Sequence, residues 1–129
     1  MRSIQTALAA GLVACCAGSQ AVAQSGAEQR VELSNFDFAP HEIHLRAGQA
    51  TTLVLSNLAS GGHDFAAPEF FAAARVEPAD AALVTDGEID VPAKSTRTVH
   101  LVPAAGTYKL TCTHMMHAMF GMKGTIVVE

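Results

Sequence analysis

The thirteen residues from Cys112 to Gly124 read C-T-H-M-M-H-A-M-F-G-M-K-G. Within them Cys112, His117 and Met122 stand as C-x4-H-x4-M, which places a thiol, an imidazole and a thioether on one short stretch. A second imidazole lies upstream at His63, in G-G-H-D-F. Two His, one Cys and one weakly held Met form the donor set by which proteins hold copper for electron transfer, with the soft sulfur ligands suiting Cu(I) and imidazole suiting copper generally.

The residues leading into this stretch say where the thiol points. Tyr108, Leu110 and Cys112 fall on one face at period two, and Lys109 and Thr111 on the other, so the sulfur is directed with the core residues. Strand patterning resumes at Thr125, which makes the intervening residues a loop at one end of the fold. His63 can reach that end from the Gly-rich corner Ser60-Gly61-Gly62, after a strand that ends at Asn57. A buried thiolate is costly without a cation nearby, and two neutral imidazoles with a thioether complete a cage that adds no charge of its own.

Further out, short apolar alternations are separated by turn signals. Val31 and Leu33 alternate, and Phe36 and Phe38 follow one step out of register, which predicts a bulge or bend near Ser34-Asn35. Ile43 and Leu45 follow, then Thr51 to Leu55 as a fuller buried strand, and Gly87 to Val91, Thr96 to Val102, Gly106 to Cys112 and Gly124 to Glu129 read as further strands. Pro68 to Arg75 is the one convincing helix, with Pro68 in its first turn. Glu77 to Asp86 reads as loop or weak strand. Seven or eight short strands with one short helix predict an all-β fold, an antiparallel Greek-key β-sandwich.

The chain has 129 residues, 50% of them hydrophobic, and no run of 18 purely apolar residues, so a single domain without a membrane span is expected. Residues 1–23 have the form of a signal peptide: Arg2 as a positive start, the apolar stretch Ala7 to Ala17, and Ala21-Val22-Ala23 before Gln24. Residues 24–129 would then be the mature domain. Leu12-Val13-Ala14-Cys15 also resembles a bacterial lipobox, which would leave a lipid anchor at Cys15. Either route exports the protein, to the periplasm or beyond. Cleavage after Ala23 removes Cys15 and Cys16 and leaves Cys112 as a lone cysteine that cannot form an internal disulfide.

After that cleavage seven Lys and Arg face twelve Asp and Glu, a net charge of −5. No basic stripe is present, which argues against nucleic acid as a partner. The acids are scattered and read as a solvated surface; any that cluster would steer a basic redox protein. His41 and His44 are three apart and, on a strand, point to opposite faces, so they would not hold one metal together; His44 and His100 alternate with apolar neighbours and are expected to face solvent.

The pairing of G-G-H-D-F with G-T-Y-K-L-T-C-T-H-M-M-H-A-M-F-G-M-K-G-T-I-V-V resembles the cupredoxin family of plastocyanin-like and azurin-like blue copper proteins, over about Phe36 to Val128. That resemblance implies the cupredoxin sandwich, one type 1 copper per chain, His63, Cys112 and His117 as equatorial ligands and Met122 as the long axial ligand. It also implies a monomer that shuttles single electrons between redox protein partners, with no turnover of a substrate. Two features depart from the family pattern. Asp64 stands where Asn usually follows the first ligand His; its carboxylate can still accept a hydrogen bond from Thr113 and would favour Cu(II). His114-Met115-Met116 replaces a segment that often holds Pro and Gly. The methionines, with Phe120, suit an apolar docking rim around His117, and alternatively His114, Met115, Met116 and Met119 suit a second, Cu(I)-binding site on a copper carrier. One domain with one ligand set lacks the additional centres of copper oxidases, and a Cys/Met pair is wrong for a zinc hydrolase.

Overall fold

The computed structural model describes residues 26–114 and 122–129. Ten strands among these residues form two five-stranded sheets. The first sheet runs β2 (Asp37–Ala39), β1 (Ala27–Ser34), β4 (Thr51–Asn57), β8 (Thr96–Val102), β6 (Arg75–Val76). The second runs β3 (Glu42–Leu45), β10 (Lys123–Val128), β9 (Gly106–Thr111), β5 (His63–Ala66), β7 (Glu88–Val91).

Period-two patterning produces the layers. Val31 and Leu33, Leu53 and Leu55, and Val99 and Leu101 point inward from the first sheet. Phe65, Ile89, Val91, Leu110, Ile126 and Val128 meet them from the second, in one contiguous core. α1 (Pro68–Ala73) begins with Pro in its first turn and buries Phe70 and Phe71. Phe71 meets Phe65 edge-on at 6.1 Å between ring centres, and Phe70 meets Tyr108 at 5.5 Å. The helix thereby covers the strand pair that carries His63 and Cys112.

The sandwich with one short helix is the architecture expected, and three local readings change. Most strand pairs are antiparallel, but β1 pairs with β4 and β3 with β10 in parallel, so the sheets are mixed. Phe36 is not in the alternating core set: it takes a left-handed backbone conformation (φ 67°) in the two-residue turn between β1 and β2 and is 42% exposed. That turn supplies the predicted bend, and Phe38 returns to the core fully buried. The segment read as loop or weak strand contains a single 3-10 turn, Ala81–Leu83.

A tight hairpin also joins Thr85 to Glu88, each donating its N–H to the other's carbonyl at 2.9 and 3.0 Å. Its two central residues, Asp86 (φ 51°) and Gly87 (φ 77°), are both left-handed, which is the type I′ turn that Asp-Gly favours. A Cβ on Gly87 would lie 2.4 Å from Pro68 Cα, so this turn packs against the start of α1. Gly48 is also left-handed (φ 74°) but has open space around it. Gly48→Ala should therefore cost only the conformational penalty, about 1–2 kcal/mol. Gly87→Ala adds a backbone clash and should cost at least about 3 kcal/mol by denaturant unfolding. Equal costs at the two positions would mean that the turn does not press on the helix.

Candidate metal centre

His63 opens β5 and is 1% exposed. The corner before it is built by Asn57, a fully buried side chain at the end of β4. Its Nδ2 donates to the carbonyls of Gly61 and Val91 at 2.9 Å and to that of Pro92 at 3.3 Å. Its Oδ1 accepts the Ala59 N–H at 2.9 Å. One amide thus ties the β4–β5 corner to the end of β7, the strand to which β5 is paired (His63 opposite Val91). Asn57 was not a candidate in the sequence reading; the signal available was an amide at the end of an apolar strand, next to a Gly-rich corner.

Cys112 follows β9 directly and is 1% exposed. Its N–H donates to the Met122 carbonyl at 3.2 Å, and Met122 is fully buried, so these two residues close the base of the loop between them. The Cys112 sulfur lies 3.9 Å from His63 Nδ1. With metal–nitrogen and metal–sulfur bonds of about 2.0 and 2.3 Å, that separation corresponds to an angle of about 130° at one shared ion, near the trigonal arrangement of His and Cys ligands around copper. The donor chemistry and the spacing therefore fit copper. Burial pushes the Cys112 thiol above its ordinary range; the N–H groups of Asp64 and His114 pull it back, and the charge of Asp64 adds to the rise. A bound cation would reverse the balance by favouring the thiolate.

β5 and β9 are paired at Ala66 and Thr111. Continuing that register would set Asp64 against Thr113, but the connections there run through side chains. The Asp64 N–H donates to Cys112 Sγ at 3.5 Å. Asp64 Oδ1 accepts the Thr113 N–H at 2.6 Å, and Oδ2 accepts the Thr113 hydroxyl. The acceptor role expected for Asp64 is thus what the structure has. His114 lies over Gly62, where a Cβ would come 3.3 Å from the imidazole. Its Nε2 is 3.9 Å from Asp64 Oδ2 and 3.6 Å from Asp90 Oδ1, and its ring centre is 6.4 Å from that of His63.

Three of the four expected ligands, His63, Cys112 and Met122, are therefore brought to one end of the sandwich. His117, with Met115, Met116, Met119 and Phe120, lies outside the described residues, as does the expected signal segment 1–23. Among the described residues no three His, Cys, Asp or Glu side chains form a metal cage on their own. The other histidines are exposed, and each faces an acid: His41 with Asp37 at 3.8 Å, His44 with Glu42 at 2.7 Å and His100 with Asp80 at 2.7 Å.

The family model for the cupredoxin-like domain matches residues 6–128. The chain belongs to the cupredoxin-like family, whose fold is a copper-binding scaffold. Among solved structures it is similar to dithionite-reduced auracyanin from Roseiflexus castenholzii, with 20% identity and a TM-score of 0.59 over 81% of this chain and 99% of that one. Auracyanin B is similar at 23% identity, with a TM-score of 0.58 over 87% and 96%. The multicopper oxidase McoA from Aquifex aeolicus shares the fold at 13% identity with a TM-score of 0.62, but this chain spans only 30% of its length. No curated protein matches the chain.

The Asn57 network gives a direct test of how the His63 corner is held. Asn57→Ala leaves buried carbonyls without their donor, at a cost of about 3 kcal/mol, which for a domain of this size lowers Tm by ten degrees or more. Thermal unfolding checks it, and a drop of less than about 3 °C would remove Asn57 from this role.

Proposed function

We propose that this protein is an exported type 1 copper protein that carries single electrons between redox protein partners, in the periplasm or outside the cell. Its copper ligands would be His63, Cys112, His117 and Met122. The observation that carries this reading is the buried approach of Cys112 Sγ to His63 Nδ1 at 3.9 Å, next to a buried Met122. Residues 1–23 would be its signal peptide, and the mature domain would act as a monomer.

The chemistry that copper supplies when bound is a one-electron couple between Cu(I) and Cu(II). The chain's part is to hold the donors still. His63 and Asp64 are fixed by the β5–β7 ladder and the Asn57 corner, Cys112 and Met122 by their backbone hydrogen bond, and the two loops by Asp64 and Thr113. Donors fixed on packed strands need little rearrangement when charge changes, which is the preorganisation that fast electron exchange requires. His117 is five residues from both Cys112 and Met122, which keeps it within reach of the same centre. A structural neighbour, auracyanin, has a crystal structure in its dithionite-reduced form.

The alternative is a copper carrier that takes up Cu(I) on His114, Met115, Met116 and Met119. His114, the described member of that set, lies among Gly62, Asp64 and Asp90. Two carboxylates are hard donors, an environment that does not favour Cu(I).

Expressing the full chain and adding one equivalent of Cu(II) should give an intense thiolate-to-copper visible band with narrow copper hyperfine splitting in EPR. Cys112→Ser should abolish the band, His117→Ala should weaken or lose it, and Met122→Gln should keep the colour and lower the potential. Strong colour in Cys112→Ser would overturn the ligand assignment. A colourless protein with tight uptake of Cu(I) would establish the carrier instead.

A further inference from the structure

Asp64 is 4% exposed and touches the centre in three ways. It follows His63 in the chain, its N–H donates to Cys112 Sγ, and its carboxylate accepts both the N–H and the hydroxyl of Thr113. The Thr113 hydroxyl also lies 3.3 Å from Glu88 Oε2, so this residue sits between two carboxylates. We propose that Asp64 is a positioning residue that serves as a fixed negative counter-charge to the metal. It lowers the reduction potential of the centre and biases it toward Cu(II). This inference rests on the copper reading of the site.

Charge counting gives the direction. A thiolate with two neutral imidazoles and a thioether carries one negative charge, so the site is neutral with a univalent ion and positive with a divalent one. Adding the Asp64 carboxylate makes the pair negative and neutral instead. Net charge is costly in a poorly solvated place, so the oxidised form becomes the favoured one. Burial keeps this interaction from being screened by salt, unlike that of Asp90, whose side chain is 73% exposed. The two hydrogen bonds from Thr113 hold the carboxylate where its field acts and cover part of its solvation loss.

The test measures Cu(II) and Cu(I) affinities by chelator competition for the protein expressed from the full chain. Variants are Asp64→Asn, Asp64→Ser, Thr113→Val and Asp90→Asn, with thermal unfolding of each copper-free protein to confirm folding. Both Asp64 variants should lower the ratio of Cu(II) to Cu(I) affinity by about tenfold or more, equivalent to a rise of about 59 mV for a one-electron couple. The shift should be the same at low and high salt, Asp90→Asn should leave the ratio within about threefold, and Thr113→Val, which keeps the backbone N–H on the carboxylate, should shift it less than the Asp64 variants do. Asp64→Ser carries the same test should the amide variant not fold. A ratio unchanged in the Asp64 variants overturns the proposal, and so does a shift in Thr113→Val as large as theirs, which would mean that tethering rather than charge is responsible. A wild-type protein without the intense visible band would instead overturn the copper reading itself.

Discussion

A thiol and an imidazole buried 3.9 Å apart at the end of an apolar core set the terms for the structure around them. The thiol is at home in such a place, but the imidazole and the backbone groups beside it lose hydrogen bonds to water that must be replaced. The fold meets this requirement by opening one ladder. β5 and β9 pair at Ala66 and Thr111, and beyond that point the backbone donors turn to side chains: Asp64 N–H to the thiol, and Thr113 N–H to the Asp64 carboxylate. The gap so formed sets the thiol beside the imidazole without leaving those two amides unsatisfied.

That opening can be stable only if the strands on either side are held independently. β5 keeps its register through four pairs with β7, and β9 through six pairs with β10. α1 closes over the junction, with Phe70 against Tyr108 of β9 and Phe71 against Phe65 of β5. The parallel pairs, β1 with β4 and β3 with β10, join the N-terminal strands to both sheets and leave the site end to the loops. Core packing therefore supplies the rigidity, and the loops supply the chemistry.

What could be read without coordinates follows the range of the forces involved. Inward alternation at Val31 and Leu33 and at Leu110 and Cys112, and the continuous apolar run ending at Leu55, are local signals, and those residues are buried as expected. His63, Cys112 and Met122 stood out in the sequence by donor type and spacing, and the structure brings them together at one end of the sandwich. The acceptor role of Asp64 toward Thr113 followed from the family resemblance, and the structure has it. Phe36 misled because an aromatic in apparent alternation looks like core, while its backbone sits in a turn with positive φ. Strand partners were not legible, since a parallel and an antiparallel neighbour can present the same alternating face. Asn57 escaped notice because its importance lies in contacts with Val91 and Pro92, more than thirty residues away. The Asp86-Gly87 turn was missed, with Gly87 read as the start of a strand, and its packing on Pro68 is a contact no dipeptide reveals.

The residues that set this chain apart also depend on one another. A carboxylate at position 64 needs donors, and Thr113 provides two of them from the residue after the thiol. His114 comes next and brings its imidazole within 3.9 Å of the same carboxylate, a position open to it because Gly62 has no side chain to occupy the space. Gly62-His63-Asp64 and Cys112-Thr113-His114 thus behave as two halves of one assembly, in which each half satisfies polar groups of the other. An Asn at position 64 could accept from Thr113 but would present a neutral group to His114 and Cys112. The carboxylate therefore changes the electrostatics of the centre while leaving its scaffold in place, which allows a family fold to be tuned by one atom in one side chain.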